Sequence, residues 1–316
     1  MISRAVRDCF HNLQEAPDTT TDFYRAGKML GRGAFGKVCL GMHKLTRKLV
    51  AIKSINKEYL SEEKQKNKVM HEVGILLRLN RHPNVVKLFE TFETGRHILL
   101  VMELCAGGDL LNYVRKRKKL EEDSAKYLFK QLIEGLGYLH SKNVLHRDIK
   151  LDNILLDGKG QVKIADFGVS KLVRQGEVMR EQCGTPAYIA PEIIRDRGYS
   201  GFKADLWSAG VVLYAMLYGT VPFKANNMQD LHKLILQAKY NLKDEITEGA
   251  KSLLRALLEP DPVKRLTVRQ VLAHPWMADA PEEGSGFVVF NPEEQEIIRR
   301  EFTYNNPSRF NRNEAP

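Results

Sequence analysis

Apolar positions along this chain change period near residue 108. From Phe23 to Leu100 they form short β-branched or alternating runs, at Val38 to Leu40, Leu49 to Ile52 and Ile98 to Val101, the texture of strands. One helix interrupts them over about residues 61–79, with Val69, Val73, Leu76 and Leu77 spaced to fall on one face. Beyond Gly108 the spacing is helical. Residues 124–139 carry Tyr127, Leu128, Leu132, Leu136 and Leu139, and further helices are predicted over 203–218, 249–258 and 267–272. A small sheet-rich lobe (24–102) is therefore expected before a larger helical lobe (109–277), with a hinge over 103–108 around Cys105-Ala106-Gly107-Gly108. Residues 1–23 read as a loosely attached leader. After Trp276-Met277 a Pro/Glu/Gly/Ser linker leads into a tail, 278–316, where residues 293–302 have helical spacing.

Composition narrows the class without naming it. With 316 residues, 43% hydrophobic and 28% charged, the chain can bury a large core. No apolar run approaches the roughly 18 residues of a membrane span, and no membrane association is expected. The first residues lack the apolar stretch of a secretory signal, and Ile2 excludes myristoylation. Cys9, Cys39, Cys105 and Cys183 lie far apart with no Cys-x-x-Cys pair, so reduced thiols in a cytoplasmic or nuclear setting are expected. The net charge of +10 admits nucleic acid or acidic partners. However, the densest run, Arg115 to Lys119, has no interleaved aromatics and is followed by Glu121-Glu122-Asp123, which reads as a solvated basic loop.

Chemistry enters at four places. Gly31, Gly33 and Gly36 form Gly-x-Gly-x-x-Gly, a weak signal alone because the same pattern opens dinucleotide folds; here a strand-like Lys37 to Gly41 follows instead of a helix. Such glycines allow a hairpin backbone to approach phosphates, or simply make a glycine-rich hairpin. Lys53 ends the apolar run Val50-Ala51-Ile52, and Glu72, on the predicted helix, is a possible partner for it. The specific segment is His146-Arg147-Asp148-Ile149-Lys150-Leu151-Asp152-Asn153, followed by Asp166-Phe167-Gly168. A carboxylate, a lysine and an amide within 148–153 suit a reaction at phosphate. Asp148 can orient an acceptor hydroxyl and take its proton, Lys150 can neutralise a moving phosphoryl group, and Asn153 and Asp166 are hard oxygen ligands for magnesium.

With Ala190-Pro191-Glu192 downstream, this set resembles the eukaryotic protein kinases over residues 24–277. It extends to Asp205-Leu206-Trp207-Ser208-Ala209-Gly210, Arg265 and His274-Pro275-Trp276. The resemblance implies an α+β bilobal fold with a small antiparallel sheet lobe and a mainly helical lobe. It implies ATP and Mg2+ as cofactors and protein substrates as partners. By motif, Gly31, Gly33 and Gly36 would cover the phosphates, and Lys53 and Glu72 would form an ion pair. Asp148 would be the base, with Asn153 and Asp166 as metal ligands. The adenine would meet the backbone at Glu103 and Cys105, behind which Met102 guards a pocket, between Val38, Ala51 and Leu155; without the family, those three are core aliphatics. Lys150 and Thr185 mark a Ser/Thr enzyme.

Within the family, the Cys183 to Tyr188 and Gly210 to Phe223 segments resemble the calcium/calmodulin- and AMP-activated-kinase-like group. Calmodulin is nonetheless not indicated: the chain has no EF-hand loop, and the tail has no basic amphipathic helix. A monomer is expected. Gly176 to Pro186 resembles the phosphorylase kinase catalytic subunit, with Glu181 standing where many relatives carry a phosphothreonine. Arg147, Lys171 and Lys68 would converge on it, which implies activity without activation-loop phosphorylation. By the same resemblance Asp109 and Asp152 would hold an arginine three residues before the acceptor. Ala187, Tyr188 and Ile189 would line an apolar slot for the residue after it, and Val169 points to a threonine preference. Phe287 to Phe290 and Ile297-Ile298 are expected to dock on the lobes, and Arg300 to Tyr304 resembles a substrate sequence with Thr303 as acceptor.

Three other classes compete. A pseudokinase would lack the lysine, the aspartate or a metal ligand, and all are present. A dinucleotide-binding module leaves residues 146–153 unexplained. A nucleic-acid-binding protein has only charge in its favour.

Overall fold

The computed structural model describes residues 23–33, 36–60, 63–79, 82–174, 176–282, 287 and 289–302. Contacts divide them into two units. The first takes the described residues up to Asn67, Lys87–Ala106 and the helix that begins at Pro292; the second takes Lys68–Val86 and Gly107–Asn291.

The first unit is a five-stranded antiparallel sheet in the order β1-β2-β3-β5-β4. Its strands are β1 (Tyr24–Gly33), β2 (Gly36–His43), β3 (Leu49–Asn56), β4 (Leu88–Glu93) and β5 (His97–Met102). Strand alternation sorts its side chains onto two faces. On one, Tyr24, Val50, Ile52 and Val101 form a buried cluster backed by Phe23, Phe89, Phe92 and Leu99. The other carries Val38 opposite Lys53, Leu40 opposite Ala51 and Met42 opposite Leu49. Between Tyr24 and Gly33, β1 uses two more residues than β2 uses opposite it, and register shifts fall between Ala26 and Met29 and between Met29 and Gly31.

The helix α1 (Glu63–Arg78) follows β3. Val69, Val73 and Leu76 are buried as their spacing predicts, but Leu77 is 58% exposed. Ile75 and Leu79 are buried instead, so the covered stripe turns towards their side and leaves Leu77 beyond its edge.

The second unit is helical. Helix α2 (Leu110–Arg117) follows the short β6 (Gly108–Asp109), and α3 (Glu122–Ser141) runs beneath the loop segments that carry the chemistry. Those segments are framed by β7 (Val144–Leu145), β8 (Ile154–Leu156), β9 (Val162–Ile164) and β10 (Lys171–Leu172). The pairing β6-β8-β9 and the ladder β7-β10 pin both ends of the catalytic stretch. After α4 (Pro191–Ile194) comes α5 (Gly201–Tyr218), which is apolar almost all round and buried along nearly its whole length. It stops at Gly219, whose φ of 69° is the left-handed conformation of a helix C-cap. The outer helices are α6 (Met228–Leu236), α7 (Glu248–Leu257) and α8 (Val268–Leu272). Arg265 and Glu192 form a buried bidentate pair at 2.6 and 2.8 Å, which anchors α4. No helix among the described residues is long and apolar enough to cross a membrane.

The tail leaves an anchor in each unit. In the second, Val289 and Phe290 are 5% and 4% exposed. Tyr113 donates its hydroxyl to the Val289 carbonyl at 2.7 Å and meets the Phe290 ring edge-on. A β-carbon at Gly160 (φ 84°) would lie 2.4 Å from that of Val289, so the tail fits only where residue 160 has no side chain. In the first unit the anchor is Phe302, at the end of α9 (Pro292–Glu301), which packs against Leu40 and Met42. The expected anchor Ile297 is 48% exposed, and no residue of α9 is buried; this helix is too polar to bury a face, and its contact falls on the residue after it. Thr303 lies outside the described residues, as does the leader 1–22.

Phe290→Ala should cost about 3 kcal/mol of unfolding free energy, the usual loss for truncating a buried phenylalanine. Urea denaturation checks this, and an unchanged midpoint would show that the tail is not anchored there.

Candidate active site

The turn from β7 into the segment before β8 is held from below by one carboxylate. Asp205, on α5 and 2% exposed, accepts the backbone N–H of His146 at 3.0 Å and that of Arg147 at 2.9 Å. His140 of α3 sits 2.9 Å from the same carboxylate. Burial pushes the Asp205 pKa up, but the His140 contact, nearby histidine charge and these backbone donors outweigh it and hold the carboxyl below its ordinary value. The loop adopts a conformation it would not choose alone: Arg147 has φ 68°, and Asp166, a metal-ligand candidate, has φ 61°. His146 is fully buried, close to the Ala165 carbonyl at 3.0 Å and edge-on to Phe167. It thereby ties the two motif segments together.

Above this support the predicted catalytic residues converge. The Asp148 carboxylate receives the Thr185 hydroxyl at 2.7 Å and the Thr185 N–H at 3.1 Å on one oxygen. Its other oxygen receives Lys150 Nζ at 2.9 Å and the Asn153 amide at 3.0 Å. Lys150 also donates to the Thr185 hydroxyl at 3.0 Å, so the three side chains close a ring. Burial raises the Asp148 pKa; hydrogen bonds from Lys150 and Thr185 more than offset this and keep it below the usual carboxylate range.

The metal-ligand candidates are brought together by the β8-β9 hairpin. Ile154 pairs with Ile164, and the Ala165 N–H donates to the Asn153 carbonyl at 2.9 Å, so Asn153 and Asp166 stand side by side at its mouth. The Asn153 amide nitrogen is engaged by Asp148, which directs its side-chain oxygen elsewhere, and the Asp166 carboxylate is exposed. An amide oxygen beside a carboxylate fits Mg2+, which takes few protein oxygens and completes its shell with phosphate and water. Among the described residues no cluster of three or more His, Cys, Asp or Glu offers a closed metal cage.

The nucleotide candidates in the first unit lie on one sheet face. Val38 and Ala51 share it with Lys53, which is 6% exposed. A β-carbon on Gly36 would come within 1.8 Å of the Ser54 carbonyl oxygen, whereas one on Gly31 would meet nothing within 4 Å. The protein's own packing explains the first glycine but not the second, as expected if Gly31 leaves room for a ligand. Gly33 pairs with Gly36 to close the hairpin. Glu103 donates its N–H to Lys87, and Cys105 is half-buried. Leu155, half-buried in β8, belongs to the second unit, and Glu72 is 2% exposed on α1.

Glu181 pairs with Arg147 at 2.5 Å and with Lys171 at 3.4 Å, and Lys171 also reaches Glu177 at 3.4 Å. The Arg147 hydrogen bond holds the Glu181 carboxyl below its ordinary pKa. Lys68 is exposed on α1 and is not among the ion-pair partners of Glu181 in the described residues. Asp109 is not a free surface charge. It caps α2, accepting the Asn112 N–H at 2.7 Å and the Asn112 side-chain amide at 2.8 Å. Asp152 is exposed, and burial, with its field adding, pushes the Tyr188 hydroxyl up to about 12. Tyr188 and Ile189 border a recess next to Asp148 and Thr185.

With this geometry in place, sequence comparison is decisive: the Protein kinase domain family matches residues 24–277. The chain belongs to the protein kinase family. Rice "Serine/threonine protein kinase OSK3" is 42% identical over 253 residues, 80% of this chain and 50% of that one. "CBL-interacting protein kinase 31" of rice is 40% identical over 256 residues, 80% and 57% of the two chains. "CBL-interacting serine/threonine-protein kinase 10" of Arabidopsis thaliana is 40% identical over 267 residues, 84% and 55%. The chain spans about half the length of the curated relatives it matches, and the resemblance to Ser/Thr kinases read from its motifs agrees with their names.

Two contacts at the kinase site escape a motif reading. Asp205 gives the signal of its motif, Asp205 to Gly210, but its two backbone partners are not encoded locally. Tyr199 gives none: its hydroxyl donates to the Glu181 carbonyl at 2.7 Å, and its backbone bridges Met179.

Asp205→Asn replaces an acceptor-only group with one that presents N–H to N–H, at a cost of about 2–3 kcal/mol at neutral pH. Since the folded pKa of Asp205 is depressed, its contribution is present above the unfolded value of roughly 4 and lost as pH falls through the folded one. Denaturation of both proteins at pH 7 and in acid should show the gap closing; a constant gap would contradict this.

Proposed function

We propose that this chain transfers the γ-phosphoryl group of ATP to serine or threonine hydroxyls of protein substrates. The observation that carries the reading is the closed ring of Asp148, Lys150 and Thr185, with Asn153 on the same carboxylate. A carboxylate held below its ordinary pKa is a weak proton trap in the ground state. Its first task is therefore to orient the acceptor hydroxyl; it takes the proton as the hydroxyl oxygen bonds to the γ-phosphorus and the bond from that phosphorus to the β–γ bridging oxygen breaks, with ADP leaving. Lys150 would neutralise charge on the moving phosphoryl oxygens, and Thr185, hydrogen-bonded to both side chains, holds Lys150 against Asp148. Asn153 and Asp166 would hold Mg2+, which when bound neutralises phosphate charge.

Activity without phosphorylation of the activation segment is part of the proposal. Glu181 already gives Arg147 and Lys171 a charge-assisted partner. Arg147 is the residue before Asp148, and its Nε also donates to the Val169 carbonyl at 2.6 Å, so its position is fixed from two directions.

The same reading gives a substrate preference. Asp109 and Asp152 are the acids for an arginine three residues before the acceptor, although the cap on α2 makes such an arginine share Asp109 with Asn112. The Tyr188-Ile189 recess suits an apolar residue after the acceptor. Magnesium dependence and a cytoplasmic or nuclear location belong to the proposal as well.

Transfer of labelled phosphate to a positional peptide library tests it. Arginine should be enriched at minus three and an apolar residue at plus one, and Asp148→Asn should lower kcat by about a thousandfold or more, within the scale of general acid–base catalysis. Residual activity near wild type in Asp148→Asn would reject the mechanism, and no enrichment at minus three would reject the specificity. Glu181→Lys, which sets like charges together, should lower kcat about tenfold or more, as expected from loss of one charge-assisted contact of 1.5–3 kcal/mol; full activity in that variant would show that the ion pair is incidental.

A further inference from the structure

The tail returns to the sheet face that carries the adenine-contact candidates, and it does so through a specific device. The first irregularity in β1 lies between Ala26, opposite Gly41, and Met29, opposite Cys39. Two residues, Gly27 and Lys28, thus face the single residue Leu40. A bulge re-aims side chains, and here the Lys28 ammonium meets Glu301 at 2.7 Å and lies 5.2 Å from the centre of the Phe302 ring. That ring packs against the buried pair Leu40 and Met42, as do Leu49 and Leu104. Leu40 stands directly across from Ala51, and Val38 across from Lys53. Phe302 therefore extends the row on which Val38 and Ala51 lie.

No residue of α9 is fully buried and Ile297 is exposed, while in the last turn the Phe302 N–H closes onto the Ile298 carbonyl at 2.9 Å. Among the described residues the contact includes the Phe302 ring on Leu40 and Met42, the Lys28–Glu301 ion pair and the Lys28–Phe302 cation–π interaction.

We infer that Glu301 and Phe302 are part of the adenine-nucleotide site, setting affinity for ATP and ADP by holding Leu40, and through it the Leu40–Ala51 pair, against the sheet. This rests on the reading of the chain as an ATP-dependent kinase. Phe302 is a positioning residue: it acts on the purine through Leu40 and Ala51. Coupling of this kind is reciprocal, so bound nucleotide should in turn hold the tail on the sheet.

The test is calorimetric titration of the full chain with Mg-ADP, alongside steady-state kinetics. Phe302→Ala should raise Kd for ADP about fivefold, the lower end of ordinary coupling, and the loss should appear in KM for ATP more than in kcat. Phe302→Leu, which keeps an apolar group on Leu40, should recover most of the affinity. Lys28→Glu should weaken binding, and Lys28→Glu combined with Glu301→Lys should restore it. In wild type, ADP should slow proteolytic removal of the tail. A Kd for Phe302→Ala within twofold of wild type, in a protein whose wild type binds ADP, would overturn the role of the tail and leave the kinase reading intact. A wild type that binds no ADP would overturn both.

Discussion

A single buried carboxylate, Asp205, bears the site. Taking a charge out of water is expensive unless every lone pair finds a donor, and Asp205 meets that demand by drawing in the backbone N–H groups of His146 and Arg147 and the ring of His140. The cost of burying the charge is what makes the loop rigid, because any departure of those two N–H groups would strand an ion in an apolar interior. Arg147 is kept at positive φ by this constraint, and two consequences follow at adjacent residues. Asp148 is delivered to Lys150, Thr185 and Asn153, while the Arg147 side chain is sent to Glu181. The catalytic ring and the acidic clamp are thus two readouts of one backbone conformation.

Glycines and close approaches serve the same end elsewhere. The hairpin at Gly33 and Gly36 lets β2 lie on Ser54, and Gly160 admits the tail at Val289. Each unit holds its own group of candidate residues: a sheet face with Val38, Ala51 and Lys53 in one, and the charged ring in the other. The tail contributes a buried anchor to the second and an aromatic one to the first.

Much of this was legible in the sequence, because kinase chemistry needs particular groups at close spacing and the relevant helices have strong periodicity. The helices predicted over 124–139 and 203–218 correspond to Glu122–Ser141 and Gly201–Tyr218. What the sequence could not show was how side chains share partners. Asp109 reads as a surface acid until Asn112 is seen on both of its oxygens. The family resemblance puts Lys68 near Glu181, whereas the ion pairs of Glu181 among the described residues are with Arg147 and Lys171. Leu77 satisfies helical spacing but lies outside the covered stripe of α1, and Ile297 does so on a helix with no buried residue, since period alone does not say how wide a neighbour is. Phe302 falls at helical spacing from Ile298, but its place on Leu40 and beside Lys28 comes from a strand bulge far away in sequence.

The account's central claim is that the catalytic loop is assembled by its own charges, with no phosphate required on residues 168–185. Its most direct test is the steady-state rate of phosphatase-treated protein in which mass spectrometry finds that segment unmodified. The account predicts a rate on a basic serine or threonine peptide within about twofold of the untreated protein. An unphosphorylated protein that is inactive, and that regains activity only when a residue of that segment is phosphorylated, would contradict it.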